Sequence, residues 1–253
     1  MPPENPTTEA PPAEKPEEPV KKAAKAENPL ANLMLNVLVP VVILSNCSKT
    51  EGFLALGPKW ALIVALLFPI GYQIYDYRQR RKLNLFSGIG FVSVLLTGGL
   101  GLMRMSAQVF AIKEASIPLI LAALIFLSHK GKKPLVKTLL LNPDVMDMNK
   151  IERAVRENNR QAGYDRLLWT STLLLTASML LSAVLNYFLA IYFLTGTEGD
   201  AERYNSAIAR QTFWGYIVVG VPSLIMMGYA LFRLFKGLKN LTGLESDQIM
   251  LPR

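Results

Sequence analysis

The chain has 253 residues, 51% apolar and 18% charged, with one cysteine and a formal net charge of +8. Soluble proteins carry roughly 25% charged residues, and here the apolar residues come in runs, which argues against a water-soluble globular domain. The lone Cys47 excludes an intramolecular disulfide and a cysteine-rich metal site.

Residues 1–28 hold seven prolines, six glutamates and four lysines, with almost no large apolar side chain. Such a segment buries too little surface to offset its ordering entropy and is expected to be a disordered cytoplasmic tail. Its acidic, proline-rich character is unlike a secretory signal. Asn46, where a lipoprotein cleavage box needs a small residue before its cysteine, argues against lipid attachment at Cys47.

Six apolar segments follow: Leu30–Cys47, Pro58–Tyr75, Leu83–Met103, Val109–Ser128, Leu167–Leu194 and Thr212–Leu234. A hydrocarbon core is crossed by about 20 mainly apolar residues as a helix, since only helices and closed barrels satisfy their backbone in lipid. The expected fold is therefore an all-α polytopic membrane bundle of six transmembrane helices occupying residues 29–235. The uninterrupted part of the fourth segment, Ala115–Ser128, covers only about 21 Å. It spans if the helix starts near Val109 with Lys113 and Glu114 in its outer turns, and otherwise leaves a five-span chain. Residues 129–166 form a cytoplasmic linker. Asn149 with Glu152 resembles a capping box, and a helix from there puts Met148, Ile151 and Val155 on one side and Arg153, Arg156 and Arg160 elsewhere. Such a helix either lies on the inner leaflet or is a solvated linker. Residues 236–253 complete the chain as a cytoplasmic tail.

Basic residues orient the bundle. The tail, the second and fourth connections and the last tail together hold 21 of the 27 lysines and arginines, and the other three connections hold six. The positive-inside rule then places both termini in the cytoplasm, N-in and C-in. The positive charge is accounted for by orientation and by contact with anionic lipid headgroups, which leaves no case for nucleic acid. Trp60, Trp169 and Trp214, with Tyr72, Tyr75 and Tyr77, sit at span ends, where amphipathic rings anchor helices.

Catalytic signals are sparse. The single histidine, His129, lies in a basic turn, and no zinc-spaced cluster, Gly-x-Ser-x-Gly or phosphate loop occurs. No catalytic residue, metal site or cofactor is inferred. Gly98-Gly99-Leu100-Gly101 lies within a span and reads as a packing surface. Ser93, Thr97 and Gly101 form a stripe on span three, as do Ser178, Ser182 and Asn186 on span five. Helix–helix glue is the usual use of such stripes, with a solute path as the other reading. Pro40 frees the carbonyl of Asn36, which makes either a stiff kink or a polar notch. Asp76 is expected in an interfacial charge cluster with Arg78, Arg80 and Arg81. Arg104 and Glu114 face each other at the ends of spans three and four and are expected to pair.

The motif Tyr75-Asp76-Tyr77-Arg78-Gln79-Arg80-Arg81-Lys82-Leu83-Asn84, followed by Thr97-Gly98-Gly99-Leu100 and Ile112-Lys113-Glu114-Ala115-Ser116, resembles the bacterial intracellular septation protein A family and its relatives. Lys133-Pro134-Leu135, Trp169 and Asn186 fit the same layout over about residues 30–235. The proline-rich tail, the linker between spans four and five and the enlarged outer loop Thr195–Gln211 depart from it. The resemblance implies a multi-pass protein of the bacterial inner membrane that acts in cell-envelope maintenance and septation through contacts with other envelope or division membrane proteins, without catalytic activity. On the residues alone, a small-solute or lipid transporter or flippase with a polar notch between spans one, three and five is the alternative. A carrier needs a polar cavity at depth and a scaffold does not. Spans three and five are expected to make the central contacts, and a homo-oligomer is compatible with their stripes.

Overall fold

The computed structural model describes residues 33–80, 85–131, 134–141 and 146–250. The expectations placed on the 1–28 tail, on Arg81 in the charge cluster, on Lys82-Leu83-Asn84 and Lys133 in the family motifs and on residues 251–253 fall outside them. Among the described residues the regular structure is helical, apart from one isolated antiparallel bridge between Met146 and Met250. The helices are α1 (Val39–Cys47), α2 (Pro58–Arg80), α3 (Leu85–Leu102), α4 (Ala107–Ser128), α5 (Leu135–Leu140), α6 (Met148–Glu157), α7 (Gln161–Leu194), α8 (Ala201–Gly215), α9 (Val221–Thr242) and α10 (Ser246–Ile249). Wide π turns at Met34–Leu38 and Tyr216–Gly220 lead into α1 and α9.

Four helical stretches are long and apolar enough to cross a membrane: Pro58–Gln79, Ala107–Ser128, Gln161–Leu194 and the run Ala201–Thr242. The chain is an all-α membrane protein. Its outer surface carries an apolar belt in which Leu67, Leu119, Ile120, Phe188, Leu224 and Ile225 are each more than half exposed. A soluble monomer rarely presents so continuous a patch, whereas lipid covers it without cost. The end of the bundle that holds Cys47, Ala107 and Leu194 is termed apical, and the opposite end basal.

Small side chains decide which helices approach most closely. Ala107 and Ala111 of α4 are buried, as are Ser171, Ser178, Ser182, Ala183 and Ala190 of α7, and these two helices form the most extensive contact in the fold. Small residues allow backbones to approach where lipid gives no hydrophobic drive for helix association. This overturns the expectation that spans three and five make the central contacts. Span five packs on spans four and six, and α3 packs mainly on α2. Gly98 is the reason α3 sits close there, because a Cβ at that position would run into the side chain of Leu66. The fourth segment also gains length. It starts at Ala107, where Ser106 caps it, and its 22 residues cover about 33 Å.

The enlarged outer loop expected at Thr195–Gln211 is mostly helix. Asp200 accepts from the backbone N–H groups of Glu202 and Arg203 at 3.0 and 3.1 Å and so starts α8. Tyr204, Ala207, Ile208 and Gln211 follow at helical spacing and are all buried. Tyr204 donates to the carbonyl of Met105 at 2.9 Å, and the Asn205 amide donates to Ser48 Oγ and the Pro58 carbonyl at 3.0 and 2.7 Å. The apical ends of α1, α2, α3 and α8 are thereby tied together. Glu198 adds a further tie, accepting from the Ala107 N–H at 3.2 Å. Backbone N–H donors, its own first and that of Ala107 next, hold its carboxyl below the usual carboxylate range.

At the basal end, the segment expected as a linker and the one expected as a tail form one packed layer. Ile151 and Val155 of α6 are fully buried with Val136, Leu141, Leu238 and Ile249, so the apolar face of α6 meets protein and not the inner leaflet. Arg153, Arg156 and Arg160 are exposed. The cap of α6 is Asp147, which accepts from the Lys150 N–H at 2.9 Å, and the Asn149–Glu152 capping box does not form. Residues 236–250 are not a free tail: α9 runs on to Thr242, and α10 is pinned to α6 by the Asp147 N–H on the Ile249 carbonyl at 2.9 Å and by Lys150 Nζ on the Gln248 carbonyl at 2.7 Å. Asn158 donates to the carbonyls of Leu241 and Thr242 at 3.1 and 3.2 Å. Gly237 lets α9 lie against α7 here, since a Cβ would fall 2.6 Å from Leu167 Cδ1. Asp147→Ala is expected to cost about 1 kcal/mol and to speed amide exchange in the first turn of α6. Asn149→Ala is expected to change neither quantity.

Candidate functional site

Two prolines shape the middle of the bundle. Pro40 and Pro222 each sit at the second position of an α-helix, directly after a π turn. A proline inside a helix lacks the N–H that would satisfy the carbonyl four residues earlier, and its ring clashes with that carbonyl. Widening the preceding turn relieves the clash, so both helices are locally unwound directly before their prolines. Pro69 and Pro118 lie within ordinary α-helix and produce no such turn. π turns recur at functional sites because they expose backbone and re-aim side chains.

Between the two unwound helices lies a cavity of about 420 Å³. Each of the six long apolar stretches supplies wall residues. Asn36, Pro40 and Leu44 come from the first, and Tyr216, Val219 and Gly220 from the second π turn, just before α9. Leu62, Ala65 and Leu66 of α2 and Ile208 of α8 make the apolar part of the lining. Ser93 and Thr97 of α3, Asn186 of α7 and Gln211 at the foot of α8 make the polar part. The volume lies within the range of about 300–1,000 Å³ typical of small-molecule sites.

Lys113 and Glu114 of α4 are the charged side chains among the residues that line it. The Lys113 side chain is only 7% exposed, and its Nζ meets Glu114 Oε1 at 2.7 Å and Thr97 Oγ1. The Thr97 hydroxyl passes its own proton to the Ser93 carbonyl at 2.9 Å, which leaves its lone pairs for the ammonium. The Phe110 ring, one helical turn earlier, lies 5.4 Å from Nζ and adds a cation–π contact. Lys113 is six residues inside the apical end of α4, about 9 Å along the helix. With the helix starting at Ala107, Lys113 and Glu114 fall in its second turn, in keeping with their expected place in its outer turns, and there they form a largely buried charge pair between helices. Charges at such depth are expensive and characteristically face a cavity or each other.

The expected pairing of Arg104 with Glu114 is replaced by the Lys113–Glu114 pair. Arg104 is exposed in the turn between α3 and α4, with a left-handed backbone at φ 48°, and makes no ion pair among the described residues. Of the other positions singled out, Asn36, Pro40 and Asn186 line the cavity. Ser182 lies on the α7–α9 interface, its hydroxyl 2.8 Å from that of Ser223. Ser178, one turn away, is buried, and its hydroxyl has no hydrogen-bond partner among the described residues. The span-five stripe is thus divided: its basal members join helices and Asn186 faces the cavity. Asp76 lies half-buried near the basal end of α2, far along that helix from the wall residues Leu62 and Leu66. His129 packs at a tilt of 46° against Trp169 with ring centres 4.5 Å apart and approaches Thr172 at 3.4 Å, clamping the basal ends of α4 and α7.

Among the described residues no group of histidine, cysteine and carboxylate side chains is placed to hold a metal ion. What the cavity offers chemically is a polar, charge-balanced recess with an apolar wall, reached at the place where two helices are unwound. Comparison with protein families, with curated proteins and with solved structures gives no match.

Proposed function

We propose that this chain is a carrier that takes a small solute or a lipid headgroup into the cavity between its spans. The observation that carries this reading is the Lys113–Glu114 pair lining a cavity of about 420 Å³ inside the bundle. A scaffold gains nothing from burying two charges in a recess between its helices, because an apolar pair of equal volume is as stable or more so. The two proline-unwound helices that flank the cavity supply the places where a bundle of this kind changes shape, as the broken helices of transporters do. In this reading the chain crosses the bilayer six times, with α1 and α3 as spans beside the four longer stretches. Both termini and the basal layer face the cytoplasm, in keeping with the bias of basic residues. The membrane is the bacterial inner membrane, as the family resemblance implies.

The test is reconstitution of the full chain in vesicles, with uptake of small organic ions and scrambling of fluorescent lipid measured against empty vesicles. Flux is expected, and it is expected to stop when Asn186→Cys, in a Cys47→Ala background, is modified by a thiol reagent. Absence of flux for every solute and lipid tried would remove the reading. A second reading follows from the resemblance: envelope maintenance or septation through contact with division proteins, with the basal layer and its exposed Arg153, Arg156 and Arg160 as the contact surface. Crosslinking from this layer to membrane proteins of the envelope would favour it.

A further inference from the structure

We infer that the ligand of this cavity is a zwitterion, carrying one ammonium and one anionic oxygen group a few bonds apart beside an apolar portion. The inference rests on the reading of the cavity as a solute site and names the solute's class. The charged side chains of the lining are one lysine and one glutamate, held 2.7 Å apart, so the site's own charges already cancel. An incoming anion takes Lys113 and leaves Glu114 unpaired at depth, and an incoming cation does the reverse. Either outcome leaves an uncompensated charge in a medium where charges interact strongly, which is the costly way to break a buried pair. A zwitterion avoids both. Its anionic group replaces Glu114 on Lys113 and Thr97, its ammonium replaces Lys113 on Glu114, and one ion pair becomes two with no charge left over.

The close spacing of Nζ and Oε1 sets the separation of the ligand's charges. Groups joined through one or two carbons, as in an α-amino acid or an ethanolamine phosphate, reach both partners without stretching the site. Asn36, Asn186 and Gln211 provide amide donors and acceptors for further oxygens, and Leu62, Leu66 and Ile208 provide a wall for an alkyl group. The same chemistry describes a free amino acid and a zwitterionic lipid headgroup.

The experiment is binding to the full chain in lipid nanodiscs, by calorimetry and thermal shift. The probes are leucine and glycerophosphoethanolamine, with isoamylamine, 4-methylpentanoate, ethanolamine and dimethyl phosphate as their single-charge halves. A parallel arm measures by native mass spectrometry whether phosphatidylethanolamine is retained over phosphatidylglycerol. The expected result is that a zwitterion binds at least about tenfold more tightly than either half. A response in the soluble arm identifies a free solute, and selective retention in the lipid arm identifies a headgroup. Glu114→Gln is expected to turn the preference toward the anionic half and Lys113→Gln toward the cationic half. The wild-type preference decides the matter if either variant fails to fold. Halves binding as well as the whole, or no binding in either arm, would overturn the inference. Flux in vesicles without zwitterion preference overturns it while leaving the carrier reading intact.

Discussion

Lys113→Met is expected to lower stability by about 3 kcal/mol, and adding Glu114→Gln to recover most of that loss. The prediction follows from what each change leaves behind. Lys113 is 7% exposed at the side chain and Glu114 is 20% exposed, so neither charge is well screened by water. Methionine fills the volume of the lysine stem, but it removes the ammonium from above the Phe110 ring and strips Glu114 of its partner at 2.7 Å. A buried carboxylate without a partner is among the few single changes that cost several kcal/mol. The double variant has no charge to satisfy and retains the Thr97 hydroxyl, which still donates to the Ser93 carbonyl. Unfolding in mild detergent, followed by circular dichroism for the wild type, both single variants and the double, gives the coupling energy directly. A single variant as stable as wild type would show that the pair is solvated, and with it the premise of a charge-balanced recess would fail. The cycle also separates stability from transport, because the double variant is expected to be well folded and inactive.

The apolar runs read from the sequence locate the long helices, because lipid permits little else for 20 apolar residues. Four of them appear as helices long and apolar enough to cross. What the runs do not carry is the partner of each face. The α6 pattern, with Met148, Ile151 and Val155 together, says that one face is covered. Periodicity is silent about whether lipid, water or protein covers it. Its partners Leu238 and Ile249 are scattered through a segment without any apolar run, so nothing local marks that segment as folded. The signal for α8 was present and passed over: Asp200 precedes Tyr204, Ala207, Ile208 and Gln211 at i, i+3, i+4 and i+7, the pattern of a capped amphipathic helix. The place of Lys113 and Glu114 in the outer turns of the fourth segment is legible from the apolar run beside them, whereas their pairing with each other, rather than Glu114 with Arg104, depends on how α3 and α4 pack. The link between Pro40 and Asn36 was legible because it depends on chain connectivity alone. That a second proline, Pro222, would unwind its helix against the same cavity required the fold.

The second large effect concerns the basal layer. Ile151→Ala is expected to destabilise that layer by about 3 kcal/mol, the cost of removing a buried aliphatic side chain and leaving a cavity. Ile151 is fully buried, in a cluster that includes Val155, Tyr164, Leu238 and Ile249. These residues come from α6, α7, α9 and α10, so the truncation loosens four helices together. Leu238→Ala removes a fully buried neighbour from α9, where α6 packs. The two losses are expected to be less than additive, because contacting residues share the cavity that either one opens. Arg153→Ala, on the exposed face of α6, is expected to shift stability by less than about 0.5 kcal/mol. Hydrogen exchange of the α6 and α10 amides reads the effect. In the packed layer both helices lose protection together when Ile151 is truncated, although Ile151 belongs to only one of them. If α6 lay on the lipid instead, Ile151→Ala would weaken vesicle binding of that helix alone and leave α10 protected as before. Joint loss of protection therefore distinguishes a protein-packed α6 from a lipid-bound one, and it ties the basal layer to α7, which carries the wall residue Asn186, and to α9, which continues the π turn that carries Gly220.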